Sequence, residues 1–164
     1  MAVGLLTLAL VGTLALAGTL VLGYFIPPVS VGTHFLGALA TTTLLVMAHS
    51  FILFFLIATG VELKEMEKAK GWGDSFRRRT ILMKSRVFPV ATGALLLVMA
   101  NFILGAAAHT RALPAWMHGA LAWVTLAVCV LTLFREYQVL GDNNRLIEEA
   151  GLRRKNGSRA GPGA

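Results

Sequence analysis

Residues 33–60 read THFLGALATTTLLVMAHSFILFFLIATG, with His34 near the start, His49 in the middle and Glu62 two positions past the end. No Lys, Arg, Asp or Glu interrupts the run. Crossing a hydrocarbon core of about 30 Å takes about 20 apolar residues, so this stretch is long enough to be a transmembrane helix. An ionisable side chain near the middle of such a helix marks a candidate functional site, because hydrocarbon penalises it unless it has a partner. His49 is that side chain.

The rest of the chain agrees with a membrane reading. Of the 164 residues, 56% are hydrophobic, against about 45–50% in ordinary soluble domains. The net charge of +7 does not indicate nucleic-acid binding. The first Lys or Arg is Lys64, and the basic residues cluster between apolar segments, as they do in membrane topology. Cys129 is the single cysteine, which rules out an intrachain disulfide and any C-x-x-C motif.

Four segments emerge, at residues 3–26, 33–60, 87–108 and 114–134. The first lacks a basic leader region and is read as a retained helix, stopped by Pro27 and Pro28. Eight basic residues (Lys64, Lys68, Lys70, Arg77, Arg78, Arg79, Lys84 and Arg86) lie between segments two and three. Six more follow segment four: Arg135, Arg145, Arg153, Arg154, Lys155 and Arg159. Only Arg111 falls on the other side. The positive-inside rule then places both termini in the cytoplasm, with His34, His109 and His118 at the external face. Residues 61–70 continue helix two, the Gly71-Trp72-Gly73 run breaks it, and residues 75–84 are expected to lie in the headgroup region. A cytoplasmic extension of helix four is expected to about residue 150, followed by a disordered basic tail, 151–164. The fold expected is a single-domain, all-α, integral membrane four-helix bundle, antiparallel, in a bacterial inner membrane.

Helical periodicity selects the inward faces. His118, Ala122, Thr125, Cys129, Thr132 and Glu136 share one stripe of helix four, because about 18 residues make five whole turns. On helix three, Ala94 and Asn101 align and should face the bundle. On helix two, His34 and His49 share a broad face about 22 Å apart along the axis. Asn101, Thr125, Thr132 and Glu136 are therefore the expected polar interior.

The chemistry these residues suggest is redox chemistry at haem. A b-type haem in a bundle takes axial imidazoles from facing helices, with small residues leaving room for the porphyrin. His34 can face His109 or His118, and His49 can hold a second, deeper group. The spacing of His34 and His49 resembles the two-histidine helices of the cytochrome b and b6 type, in which one helix ligates two stacked haems. That resemblance implies His34 and His49 as ligands. The second helix departs from it, because His109 and His118 are only nine residues apart and leave His49 without a histidine at its depth.

Other readings compete. His34, His109 and His118 form a candidate three-imidazole metal site. A broken polar path through His49, Asn101, Thr125, Thr132 and Glu136 suits proton or quinone handling. His49 as a neutral histidine bonded to a threonine, Ser50 or Asn101 would instead fix helix register. Glu62 and Arg86 are expected to form ion pairs at the cytoplasmic edge. No Walker loop, nucleophile elbow or zinc-protease helix occurs. The function expected is a small membrane-embedded redox subunit, binding haem b or quinone through its histidines within a larger membrane complex. The alternative is a structural or assembly subunit, or an oligomeric proton or ion pathway, in contact with lipid and with other subunits or copies of itself.

Overall fold

In the computed structural model, residues 1–25 and 31–159 are described. They form four helices: α1 (Ala2–Phe25), α2 (Val31–Lys70), α3 (Ser75–His109) and α4 (Ala115–Arg159). Each contains a window long and apolar enough to cross a membrane. The expected proline stop at Pro27 and Pro28, and residues 160–164 of the tail, lie outside the described residues.

The helices form a ring in chain order. α1 packs on α2 and α4, and α3 packs on α2 and α4. α2 and α4 also touch across the diagonal, whereas α1 and α3 do not meet among the described residues. The up-and-down path makes α2 and α4 parallel, with His34 and His118 at one end and most of the basic residues at the other.

Each inward face follows a three-four alternation. On α3 the buried residues are Phe76, Thr80, Met83, Val87, Ala91, Ala94, Val98 and Asn101. On α2 they include Thr41, Leu45, Ala48, His49, Ile52, Leu56, Thr59, Leu63 and Glu67. Such spacing keeps one seam facing the neighbouring helices along the whole length. The outward positions are apolar as well, with Phe54, Leu96, Ile103 and Phe134 among the exposed side chains. That pattern suits a helix whose surroundings are lipid rather than water. Small residues set the close approaches: a Cβ on Gly12 would lie 2.9 Å from Leu45, and one on Gly60 would lie 2.7 Å from Thr80.

The basic end departs from expectation. Residues 75–84 do not form a separate segment in the headgroup plane. They are the first turns of α3, with Phe76 and Met83 buried inward. The reason is that Phe76, Thr80, Met83 and Val87 lie on the same stripe as the membrane part, so one seam runs through both. The tail is also more ordered than expected, since α4 continues as helix to Arg159. Gly141 does not interrupt it, because Leu140, Asn143, Leu146 and Ala150 carry the buried stripe past it. The Arg153 guanidinium lies 5.0 Å from the centre of the Trp72 ring, tying this region to the α2–α3 turn. At 1.5 Å per residue, α2 and α4 are about 60 Å and 68 Å long, so both run well beyond a core of about 30 Å. With the start of α3 they make a three-helix extension.

The α2–α3 turn is held by one buried carboxylate. Glu67 accepts the Phe76 amide at 2.6 Å and the Arg77 amide at 3.0 Å, and the Ser75 hydroxyl lies at 3.4 Å. Asp74, at the N-cap position, makes no side-chain capping bond. A residue from the preceding helix thus satisfies first-turn amides that would otherwise lack partners. Gly71 and Gly73 supply the positive φ angles of 64° and 79° that bring the chain round.

Candidate cofactor site

The His34 and His118 rings come together across the diagonal. Their centroids are 6.5 Å apart and their planes lie at 84°. Each ring rests on a glycine of a flanking helix. A Cβ on Gly23 of α1 would lie 3.0 Å from Cε1 of His34, and one on Gly105 of α3 would lie 3.0 Å from Cε1 of His118. His118 also lies within hydrogen-bonding reach of the Asn101 backbone.

Around the two rings is a cavity of about 730 Å³, with Thr19, Phe35, Thr41, Asn101, Phe102 and Ala122 among its walls. That volume falls within the roughly 300–1,000 Å³ of small-molecule and cofactor sites. The cavity exists because α1 and α3 do not close on each other at this level. Three buried polar atoms here have no hydrogen-bond partner: Nδ1 of His34, Nδ1 of His118 and Oδ1 of Asn101. Buried polar groups are nearly always satisfied, so such a cluster makes this cavity the candidate binding site of the bundle.

The separation is chemically informative. With each ring nitrogen about 1 Å from its centroid, no two nitrogens of the pair come closer than about 4 Å, too far for a hydrogen bond between the rings.

His109 lines the same cavity but is exposed at its mouth. Among the described residues, no three or more His, Cys, Asp or Glu side chains gather in a way that could hold a metal ion. The expected three-imidazole arrangement of His34, His109 and His118 is therefore not formed. His109 ends α3, where the chain turns outward, whereas His34 and His118 point along the seam.

His49 lies elsewhere. It is fully buried and is not part of the cavity wall. Its Nδ1 lies 2.8 Å from Oε1 of Glu136, so its partner is neither a threonine, Ser50 nor Asn101. Nε2 of His49 and Oε2 of Glu136 have no partner. Leu45, Ala48, Ile52 and Ala91 leave no space at this level for a porphyrin, and the expectation of a second haem on His49 is corrected accordingly.

Asn101, Thr125, Thr132 and Glu136 are all buried, as their periodicity predicts. The Thr125 and Thr132 hydroxyls donate to the carbonyls of Leu121 and Val128 one turn back. They satisfy themselves within their own helix rather than extending a chain of polar groups. Glu62 and Arg86 are exposed, and neither enters any of the ion pairs among the described residues. Those pairs are His49–Glu136, Asp74–Arg77 and Arg79–Glu149. The expected edge pair fails because Glu62 and Arg86 both lie off the seams that bring helices together.

Two interior residues are not singled out by the sequence reading. Asn143 accepts a hydrogen bond from the Thr59 hydroxyl at 3.0 Å, and Glu67 caps α3. Both were within reach of the same arithmetic. Asn143 lies seven residues beyond Glu136 on the α4 stripe, and Glu67 lies 18 residues, or five turns, beyond His49 on α2. The constant register is the underlying cause. His34–His118, His49–Glu136 and Thr59–Asn143 are three successive polar contacts of two parallel diagonal helices.

These features define a class: a four-helix integral membrane bundle with a polar axis between α2 and α4 and a histidine-flanked cavity at one end. No known protein family, curated protein or solved structure gives a significant match to this chain.

Proposed function

We propose that this chain is a small membrane redox protein that holds one b-type haem between His34 and His118. The observation that carries the reading is two imidazoles with centroids 6.5 Å apart inside a largely apolar cavity, each with an unpartnered Nδ1. A haem held by two imidazoles would supply electron transfer rather than oxygen chemistry. The residues of the chain would do three things. His34 and His118 would hold the iron through ring nitrogens. Gly23 and Gly105 let each ring press against a helix backbone, fixing its direction. The apolar walls exclude water. A quinone would use the cavity but would not need two adjacent imidazoles with unpartnered nitrogens in its wall.

The positive-inside rule supports an orientation with both termini and the three-helix extension in the cytoplasm, and with the haem near the external face of a bacterial inner membrane. The described residues form the bundle and its helical extension alone, so electrons would pass to or from partner subunits or a membrane carrier.

The test is an absorption spectrum of the protein purified in detergent after expression with haem precursor. A Soret band with reducible α and β bands is expected, lost in His34→Ala and in His118→Ala. His109→Ala should keep it. A colourless wild-type protein would overturn the proposal and leave the histidines a structural role.

A further inference from the structure

The second cavity lies at the opposite end and is of a different kind. It measures about 600 Å³ and is bounded by Arg86 of α3, Arg135 and Arg145 of α4, and Val3 and Leu6 of α1. None of the three arginines enters an ion pair among the described residues. Asp142 is the one carboxylate in the wall, so cations outnumber it three to one. Three exposed guanidinium groups from two helices line one groove and are free to hold an anion, and guanidinium binds phosphate oxygens in a bidentate way.

Position identifies the anion's source. α1 has 24 residues, about 36 Å of helix, so its first turn sits where a core of about 30 Å gives way to headgroups. Val3 and Leu6 belong to that turn. Arg86 and Arg135 stand close to the level of that turn and Arg145 beyond it, and the exposed apolar faces of α1 and α4 continue inward from it. A ligand seated here has its charge among arginines and its apolar part along a lipid-facing helix surface. We infer that this groove is a binding site for an acidic phospholipid, with the headgroup phosphate held by Arg86, Arg135 and Arg145 and the acyl chains lying against Val3 and Leu6. Basic pockets between membrane helices recognise anionic headgroups by this chemistry. A soluble phosphate compound would match the arginines but not the apolar wall. The site is independent of the haem proposed at the other end.

The experiment is a titration of fluorescently labelled phosphatidylglycerol into full-length protein held in phosphatidylcholine nanodiscs, with labelled phosphatidylcholine as reference. The wild-type protein should bind phosphatidylglycerol in preference to phosphatidylcholine. Each of Arg86→Gln, Arg135→Gln and Arg145→Gln should weaken that binding about fivefold, since one basic side chain near an anionic headgroup contributes about 1 kcal/mol. Arg145→Lys keeps the charge and should recover most of the affinity, which separates a lost contact from a misfolded protein. The control Lys64→Gln/Lys68→Gln/Lys70→Gln removes three charges from the same end of the bundle, where each arginine variant removes one, and should still weaken binding less than any of them. Equal loss in that control would mean diffuse attraction and would overturn the inference. So would equal binding of the two lipids, or displacement of the labelled lipid by inorganic phosphate alone.

Discussion

Nδ1 of His49 lies 2.8 Å from Oε1 of Glu136, and both side chains are fully buried. The two residues are 87 positions apart in the chain, on helices that touch only across the diagonal. In hydrocarbon-like surroundings a lone carboxylate or imidazolium is strongly disfavoured, so each makes the other tolerable. The contact also fixes the axial register of α2 against α4. The same register brings His34 to His118 about four turns away.

This mutual dependence gives an asymmetric prediction. Removing one partner, in His49→Leu or Glu136→Leu, leaves the other buried and unpaired and should cost about 3–5 kcal/mol. The double variant His49→Leu/Glu136→Leu replaces the pair with apolar volume and should recover much of that loss. Reversible unfolding in detergent across the four proteins measures the coupling. Additive single effects would show that the two groups do not depend on each other.

Gly23 and Gly105 are predicted to control occupancy of the cavity. A Cβ at either position meets a histidine ring at 3.0 Å, so the ring must shift. Gly105→Val should displace His118 and lower bound haem per protein several-fold while leaving helix content intact. Gly18→Val, where a Cβ meets nothing within 4 Å, should leave it unchanged. The ratio of Soret to protein absorbance reports the result.

The carboxylate of Glu67 should be the anchor of the α2–α3 turn. Glu67→Ala strips the amides of Phe76 and Arg77 of their acceptor, at an expected cost of about 1–3 kcal/mol. Hydrogen exchange should show the loss as faster exchange confined first to the opening turns of α3. Uniform acceleration across the bundle would place the effect elsewhere.

Lys84 supplies a pH dependence. Burial near Gly60 and Thr80 disfavours its charged form and holds its pKa below the usual lysine range. The folded chain therefore binds this proton less readily than the unfolded chain. Stability should rise as pH climbs through the lowered pKa and level off at the ordinary lysine value. Lys84→Met should flatten that alkaline rise and leave the acid side of the curve alone. Thermal unfolding over a pH series compares the two.

Much of the architecture could be read directly from residues 33–60 and their counterparts. A long uncharged apolar run has few alternatives to a membrane helix, because every backbone polar group in lipid must be satisfied within the segment. The α4 stripe from His118 to Glu136 was equally legible, because helical geometry converts spacing into direction without reference to any neighbour. What spacing cannot supply is the neighbour itself. Whether His34 would meet His109 or His118, and whether His49 would meet a threonine, Asn101 or Glu136, depends on the axial offset and rotation of two helices about 84 to 87 positions apart in the chain. That offset is set by packing such as Leu45 against Gly12 and Thr80 against Gly60, where one missing Cβ decides how closely two backbones approach. The sequence by itself thus determined the four membrane helices and the inward stripes of α3 and α4. Only the tertiary structure decided that His49 is paired with Glu136 while His34 and His118 line a cavity, because partner choice is a property of the assembled seam.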